Sequence, residues 1–236
     1  MYAILRCIHE VTECIDNHLA PEHIIFPNTR RELNINKELF MQHFNFPGVV
    51  GAIDGTHVAI LKPVIEEHNF VNRKGFHSLN VQIICNSNLR ILNINANYPG
   101  ATHDSFIWRQ SQIREYMNHL HNEGNRGCWL IGDSGYPLEP YLMTPFLNPA
   151  ENSPEARYNQ THCSARNCVE RCIGVLKMRF RCILKERTAR YTPQLVGRLV
   201  NTCATLHNMC IDHGIPFANE VDRPEPLHNN NNYICT

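Results

Sequence analysis

The stretch Gly51-Ala-Ile-Asp-Gly-Thr-His-Val-Ala-Ile60 places a carboxylate inside an apolar run, and the other elements of the chain can be arranged around it. The apolar residues that lead into Asp54 predict a buried strand. An unpaired carboxylate kept dry in such a strand would cost on the order of several kcal/mol. We therefore expect a cation, a metal ion or a backbone donor beside Asp54.

A second stretch further along the chain repeats this pattern. Cys128-Trp-Leu-Ile-Gly-Asp133 is again an apolar run that ends in an acid, and Ser134-Gly-Tyr-Pro137 follows it. A later acid, Glu170, lies on a predicted helix. Two strands that each end in an acid, together with this glutamate, predict one carboxylate cluster assembled from distant parts of the chain.

Composition is typical of an intracellular globular protein. The 236 residues, 43% of them hydrophobic and 19% charged, are enough for one well-packed domain. The formal net charge is zero, so any attraction to nucleic acid must come from local patches. Eleven cysteines without a compact framework or a secretory leader predict reduced thiols in the cytosol or nucleus. No apolar run approaches the roughly 18 residues of a membrane span.

Apolar periodicity predicts the order of the elements. The predicted helices lie at residues 2–19, 38–43, about 102–121, 161–184 and 193–212. The helix near 102–121 would be capped by Thr102 or Ser105, and residues 137–154 are a predicted loop. Strands at 78–85 and 90–96, joined by an Asn-rich turn, predict a hairpin.

Three leading strands, a helix and a returning strand are the order of the ribonuclease H-like fold. A crossover helix places the Asp133 strand parallel to the Asp54 strand. Groups at the carboxyl ends of adjacent parallel strands converge on one crevice. We predict an α/β fold, a ribonuclease H-like mixed sheet flanked by helices, over residues 49–212. Residues 1–48 are predicted to form an N-terminal helix and a connector, and residues 213–236 a disordered tail.

An acidic crevice of this kind suits hard divalent cations. Mg²⁺ prefers oxygen ligands and usually keeps several waters and a substrate phosphate. A pair of such ions about 4 Å apart can activate an attacking water and stabilise the leaving oxygen of a phosphodiester. Without a cation, clustered carboxylates repel one another and their pKa values rise. The residue types therefore favour metal-dependent phosphodiester chemistry.

Three blocks of the sequence resemble the signature blocks of PIF/Harbinger-type transposases. They are Gly51-Ala-Ile-Asp-Gly-Thr-His57, Gly132-Asp-Ser-Gly-Tyr-Pro137 and Asn159-x2-His162-x3-Arg166-x3-Glu170-x6-Lys177-x-Arg179-Phe180. The chain is more similar still to the nuclease-like proteins domesticated from these transposases, which are DDE superfamily endonucleases. The likeness runs from about residue 5 to residue 212.

The resemblance implies a DDE-type, metal-dependent DNA nuclease of the nucleus, with Mg²⁺ or Mn²⁺ as its cation. The catalytic, metal-binding triad falls on Asp54, Asp133 and Glu170. The block Pro99-Gly-Ala-Thr-His-Asp104 adds Asp104 as a further metal ligand. Water or a 3′-hydroxyl would attack, so no protein nucleophile is needed. The resemblance also implies a longer helical N-terminal segment and a separate Myb-like partner protein that supplies DNA binding.

Basic and histidine residues near these acids are candidate substrate contacts. A phosphodiester substrate requires positive charge for affinity, although a solvated helix face is the simpler explanation of a basic strip. The candidate nucleic-acid contacts are Arg73, Lys74, Arg166, Lys177, Arg179 and Arg181. Three histidines are candidates for orienting carboxylates or phosphate from behind the metal ligands. They are His57, His103 and His162.

Simpler alternatives exist for each acid. Asp54 and Asp133 could be turn acids, Glu170 could only pair with Arg166 one helical turn away, and Asp104 could only stabilise a helix N-terminus. Structural zinc is disfavoured because the relevant cysteines lack a paired Cys-x2-Cys arrangement. Those groups are Cys163, Cys168 and Cys172, or Cys203, His207 and Cys210. The functional alternative is a catalytically silent domesticated transposase that acts as a nuclear DNA- or protein-binding factor.

Overall fold

The computed structural model describes residues 2–216, which form a mixed sheet with helices on both faces. The helices are α1 (Tyr2–Cys14), α2 (Ala20–His23), α3 (Arg30–Phe44), α4 (Glu67–Phe70), α5 (Asp104–Arg109), α6 (Gln112–Asn122), α7 (Pro154–Arg179) and α8 (Pro193–Asp212). The strands are β1 (Val49–Ala59), β2 (Ser78–Cys85), β3 (Ile91–Pro99), β4 (Trp129–Ile131) and β5 (Leu142–Met143). A π-helical turn, Ile15–Leu19, joins α1 to α2, and a 3₁₀ turn, Arg181–Ile183, follows α7.

The strand order in the sheet is β3-β2-β1-β4-β5. β2 is antiparallel to both β1 and β3, whereas β4 runs parallel to β1 and β5 runs parallel to β4. The predicted hairpin and the parallel return of the Asp133 strand are thereby confirmed. The predicted α/β class with a ribonuclease H-like mixed sheet is confirmed as well.

Two hydrophobic clusters cover the two faces of the sheet. On one face, α7 and α8 contribute Leu176 and Val200 to a cluster with the strand residue Ile83. On the other face, Trp108 of α5 and Met117 of α6 pack in the second cluster. All eight residues of β2 are buried, including its polar ones. Apolar burial on both faces fixes β2 and β1 at the centre of the fold.

The helix before the sheet is longer than the predicted helix at residues 38–43, because α3 already begins at Arg30. The hydroxyl of Thr29 accepts a hydrogen bond from the backbone of Glu32, and the Glu32 carboxylate accepts one from the Thr29 amide at 3.0 Å. This reciprocal pair is a capping box, which satisfies donors that a helix start leaves unpaired. The sequence signal was Thr29-x-x-Glu32, three residues apart.

The single helix predicted over residues 102–121 is wrong, since α5 and α6 are separate. Ser111 interrupts the run, and its hydroxyl caps α6 by accepting a hydrogen bond from the amide of Arg114 at 3.1 Å. The N-cap position of α5 is His103, and neither predicted cap, Thr102 nor Ser105, takes it. Serine favours the start of a helix over its interior, which explains the break.

Other boundaries were predicted with mixed success. α8 has the predicted bounds, whereas α7 spans 154–179 where 161–184 was predicted, because Ser153 caps it and Pro154 occupies its first position. The predicted helix at 2–19 changes to a π-helical turn after Cys14, and the predicted loop at 137–154 contains β5. Most of the predicted tail, residues 217–236, lies outside the described residues. None of the helices between residues 2 and 216 is long and apolar enough to cross a membrane.

The loop between β4 and β5 is fastened to the helices by Glu139. Its carboxylate accepts a hydrogen bond from the indole Nε1 of Trp108 at 2.9 Å, and one from Nη2 of Arg114 at 2.8 Å. The side chain of Trp108 is fully buried, so its N–H has no access to water. Removing the acceptor would leave a buried donor unpaired.

We predict that Glu139→Ala lowers the free energy of unfolding by about 2 kcal/mol, as measured by urea denaturation. The control is Glu123→Ala, because Glu123 forms an exposed pair with His119 on α6. That variant should lose no more than about 0.5 kcal/mol. Equal losses in the two variants would show that Glu139 does not fasten the loop.

Candidate active site

The register between β1 and β4 brings the first two acids together. β4 pairs with β1 only as far as Ala52 and Ile131. Asp54 and Asp133 each lie two residues beyond this last pair. The two acids are therefore at the same level along the two neighbouring strands. The prediction that the first strand ends at its acid is wrong, because β1 continues to Ala59 through its pairing with β2.

Asp54 is a largely buried carboxylate on the face of β1 that packs against α7. Its Oδ1 accepts a hydrogen bond from the amide of Gly55 at 2.8 Å, and only 18% of its side chain is exposed. Burial raises the pKa of Asp54 to about 7. Arg166 and the Gly55 amide lower it without offsetting the burial, and the charges of Asp133 and Asp104 raise it further. The backbone donor and the cation expected beside Asp54 are therefore both present.

Arg166 joins the third acid to the first. Its Nη1 lies 3.4 Å from Oδ2 of Asp54, and its Nη2 donates a hydrogen bond to Glu170 one turn further along α7. The guanidinium is 16% exposed, whereas the side chain of Glu170 is half exposed. Glu170 thus pairs with Arg166 and also faces Asp54 across that guanidinium. The ion pair with Arg166 is therefore compatible with a place for Glu170 in the carboxylate cluster.

Asp104 approaches β1 from the opposite face of the sheet. A Cβ on Gly55 would lie 2.4 Å from Oδ1 of Asp104, so only glycine leaves room for this carboxylate. The amide Nδ2 of Asn80 donates a hydrogen bond to the same oxygen at 2.7 Å. Asp104 opens α5 as predicted, and it reaches the strand that carries Asp54 from the other side.

Several buried polar atoms with incomplete hydrogen bonding lie on the face of the sheet where Asp104 approaches. These atoms are Oε1 and Nε2 of Gln82, Oδ1 of Asn80 and the hydroxyl oxygen of Tyr136. Gln82 pairs in register with Gly55, and burial together with the charges of Asp104 and Asp54 raises the pKa of Tyr136 well above its usual range. Sequence reasoning missed these three residues. The signal for two of them was the alternation of polar and apolar residues along β2.

The three histidines have different surroundings. His57 contacts the hydroxyl of Ser78 through Nδ1 at 3.0 Å, and burial lowers its pKa. His162 is buried, which lowers its pKa, and its Nε2 contacts the carbonyl of Met143 at 3.2 Å. His103 is exposed and accepts a hydrogen bond from Arg73. His162 thus joins α7 to β5, while the other two histidines lie beside the acids.

The basic candidates divide into tethered and exposed residues. The ammonium of Lys177 donates hydrogen bonds to Oγ1 of Thr56 at 2.8 Å and to the carbonyl of His57 at 2.9 Å. Arg179 donates one to the carbonyl of Ile215 at 3.0 Å. The side chains of three others are exposed. They are Arg73, Lys74 and Arg181.

The chemistry of the acids fits a hard cation, although no three metal-ligating side chains between residues 2 and 216 are close enough together to form a site as they stand. The available donors are carboxylate oxygens, which Mg²⁺ and Mn²⁺ prefer. Asp54 in addition has a pKa that burial and neighbouring acids raise, so positive charge is needed to hold it ionised. The buried amide of Gln82 lies on the opposite face of the sheet, where Asp104 approaches β1.

Comparison with known proteins agrees with this geometry. The profile of the DDE superfamily endonuclease family matches residues 53–208. "Putative nuclease HARBI1" of Bos taurus is 33% identical over 226 residues, which cover 93% of this chain and 63% of that protein. Its Homo sapiens counterpart is 32% identical with the same coverage. "Protein ALP1-like" of Arabidopsis thaliana is 28% identical over 208 residues, covering 82% of this chain and 50% of that protein. No solved structure matches the chain.

The chain therefore belongs to the DDE superfamily endonucleases. Within that class it belongs with the Harbinger transposase-derived nucleases, as its similarity to the HARBI1 and ALP1-like proteins indicates. The matched segment contains all four predicted acids. The chain spans 63% of the length of the HARBI1 proteins. Endonucleases of this class normally use divalent metals.

We predict that Asp54→Asn stabilises the metal-free protein, and more so as pH rises. An acid with a raised pKa stays protonated in the folded chain between about pH 4 and 7 while the unfolded chain ionises, so the parent loses stability over that range. The variant has no such loss, and its advantage should grow by a few kcal/mol between pH 4 and 8. Urea denaturation across that range measures the difference in the free energy of unfolding between the variant and the parent. The other titrating groups contribute equally to both proteins and cancel in this difference. A difference that does not change with pH would contradict the burial of this charge.

Proposed function

We propose that this chain is a divalent-metal-dependent endonuclease that hydrolyses DNA phosphodiesters. The observation that carries the proposal is the register of β1 and β4, which sets Asp54 and Asp133 abreast where the parallel pairing ends. Ligands of open α/β sheets bind at that carboxyl edge. Glu170 faces the same place from α7 through Arg166.

A bound Mg²⁺ or Mn²⁺ would activate the attacking water and stabilise the leaving oxygen of the phosphodiester. Asp54 and Asp133 would hold the cation, with Glu170 completing its surroundings from α7. Asp104 lies across β1 on the opposite face, so its part in metal binding requires it to reach past the strand. Because the pKa of Asp54 is about 7 without a cation, this carboxyl must release its proton before it can act as a ligand. Cation affinity should therefore fall below neutral pH.

The side chains of the site also suggest how a DNA strand is held. Arg166 contacts two acids that a cation would neutralise, and its planar guanidinium could then pair with a phosphate through two hydrogen bonds. Arg73 and Lys74, exposed on the loop beside His103, would add charge for the backbone on the other side of the acids. Phosphate contacts of this kind position a strand without selecting its sequence.

A second candidate function is that of a catalytically silent DNA- or protein-binding factor. The observation that favours it is the ion pair of Arg166 with Asp54, which offsets part of the negative charge without a metal. Location in the nucleus and a separate Myb-like DNA-binding partner stay predictions for either function. Cleavage by the purified chain separates the two candidates.

We predict that Asp54→Asn and Asp133→Asn each abolish Mg²⁺- or Mn²⁺-dependent nicking of supercoiled DNA while the fold is retained. Each change removes a ligand charge and leaves the side-chain volume nearly unchanged. The matched control is Glu10→Gln, because Glu10 pairs with Arg6 on the exposed surface of α1. If both aspartate variants nick DNA as fast as the parent, these acids are not the active site. If the parent itself never nicks DNA, the silent function is favoured.

We predict that neutralising Arg73, Lys74 and Arg181 together weakens DNA binding and flattens its dependence on salt. The slope of log affinity against log salt should fall by up to about 0.9 for each phosphate that the variant no longer neutralises. Lys177 is left intact because its ammonium is bonded to β1. Arg126→Gln, exposed just before the amino end of β4, is the control that should leave the slope unchanged. An unaltered slope in the triple variant would mark those residues as solvated surface.

A further inference from the structure

Phe146 is an aromatic side chain that the fold keeps in water. Among the phenylalanine, tyrosine and tryptophan residues between positions 26 and 191, only Phe106 and Phe146 are exposed, at 45% and 53%. Phe146 follows β5 by three residues. An apolar ring of this size contributes little to stability while it remains exposed, since its burial is what would stabilise the fold. About half of the ring is therefore free to contact a ligand.

The backbone of Phe146 is fixed to α7 by a side-chain clamp. The amide Nδ2 of Asn159 donates to the carbonyl of Phe146 at 2.9 Å, and Oδ1 of Asn159 accepts from the Phe146 amide at 2.8 Å. The hydroxyl of Tyr158 donates to the carbonyl of Thr144 at 3.2 Å, and its ring meets that of Phe146 edge to face at 5.3 Å. The ring is thus held in one place before any ligand arrives, which lowers the entropic cost of binding.

Phe146 lies on the same edge of the sheet as the acids. β5 is parallel to β4, so the loop that carries Phe146 leaves the sheet at the edge where Asp133 leaves it. Along α7, Arg166 is seven residues beyond Asn159 and Glu170 is eleven, which is about 10 Å and 16 Å of helix. Bases in a strand are about 3.4 Å apart. If the cleaved phosphodiester lies at the acids, the base about three to five nucleotides along the same strand would therefore lie near this ring.

We propose that Phe146 is a nucleobase-binding residue, whose ring stacks on an unpaired or splayed base of the DNA strand held at the acids. The proposal deepens the proposed function and rests on it, because it requires a DNA substrate. Stacking on an aromatic ring tolerates any base, since every base presents a π face. Phe146 therefore adds affinity for single-stranded character near the cleaved bond without selecting sequence.

The test compares two single strands that share phosphates and differ in bases. One is an oligothymidylate of about 20 nucleotides, longer than a typical single-strand site, and the other is an abasic strand of the same length. Affinities of the full chain are measured in Ca²⁺ at one fixed salt concentration. Phe146→Leu keeps an apolar side chain and removes the ring, Phe146→Trp keeps an aromatic ring, and Leu147→Ala is the neighbouring control. Thermal melts confirm that each variant is folded.

Phe146→Leu should weaken binding of the oligothymidylate about fivefold or more and leave binding of the abasic strand unchanged. Phe146→Trp and Leu147→Ala should bind both strands as the parent does. An unchanged oligothymidylate affinity in Phe146→Leu, or an equal loss on both strands, overturns the stacking role while the proposed nuclease function stands. A parent that binds neither strand also overturns the stacking role, and nicking of supercoiled DNA then decides the nuclease function separately.

Discussion

The hydrogen-bonded pairing of β1 with β4 ends at Ala52 and Ile131, and the arrangement of the acids depends on that end point. Side chains of a strand alternate between the two faces, so a slip of one residue would turn Asp133 away from Asp54. The buried side chains of Ile53 and Leu130 lock the register, because they pack in one cluster with Trp108. Core packing thereby sets the geometry of a polar site that contributes nothing to the core itself.

The buried carboxylate that suits the site for metal chemistry also lowers the stability of the fold. Asp54 gains one backbone amide and one guanidinium, and these do not compensate for its burial, since its pKa stays near 7. Gln82 and Tyr136 lie buried on the other face of the sheet, near Asp104, with polar atoms whose hydrogen bonds are incomplete. Buried charge and unpaired polar groups are tolerated in proteins mainly where function requires them. The rest of the sheet, where β2 is buried over its whole length, supplies the compensating stability.

The pairing of the two aspartate strands could be predicted from the sequence because topology alone decides it. A crossover helix between two strands makes them parallel, and both acids follow their apolar runs at similar spacing. The helix at 193–212 could be predicted equally well from the sequence, since Thr192 and Pro193 mark its start. These features depend on local signals that tertiary packing did not override.

Other features could not be predicted because they depend on contacts between distant segments. The ammonium of Lys177 reaches Thr56 on β1, more than a hundred residues earlier in the chain, and is thereby removed from the basic strip. Gln82 looks like an outward-facing strand residue, and only the helices over that face show that it is buried. The assignment of Asp54, Asp133, Glu170 and Asp104 to metal binding stays a prediction.

The uninterrupted helix α7 connects three separate regions of the protein. Asn159 near its start holds the loop after β5, Arg166 in its middle pairs with Asp54, and Lys177 near its end is bonded to β1. Each residue of an α-helix turns the chain by about 100°. Inserting or deleting one residue between Asn159 and Arg166 would therefore rotate every later side chain off its partner. Length variation in homologous chains should consequently be confined to the loops at either end of α7, while substitutions on its exposed side accumulate freely.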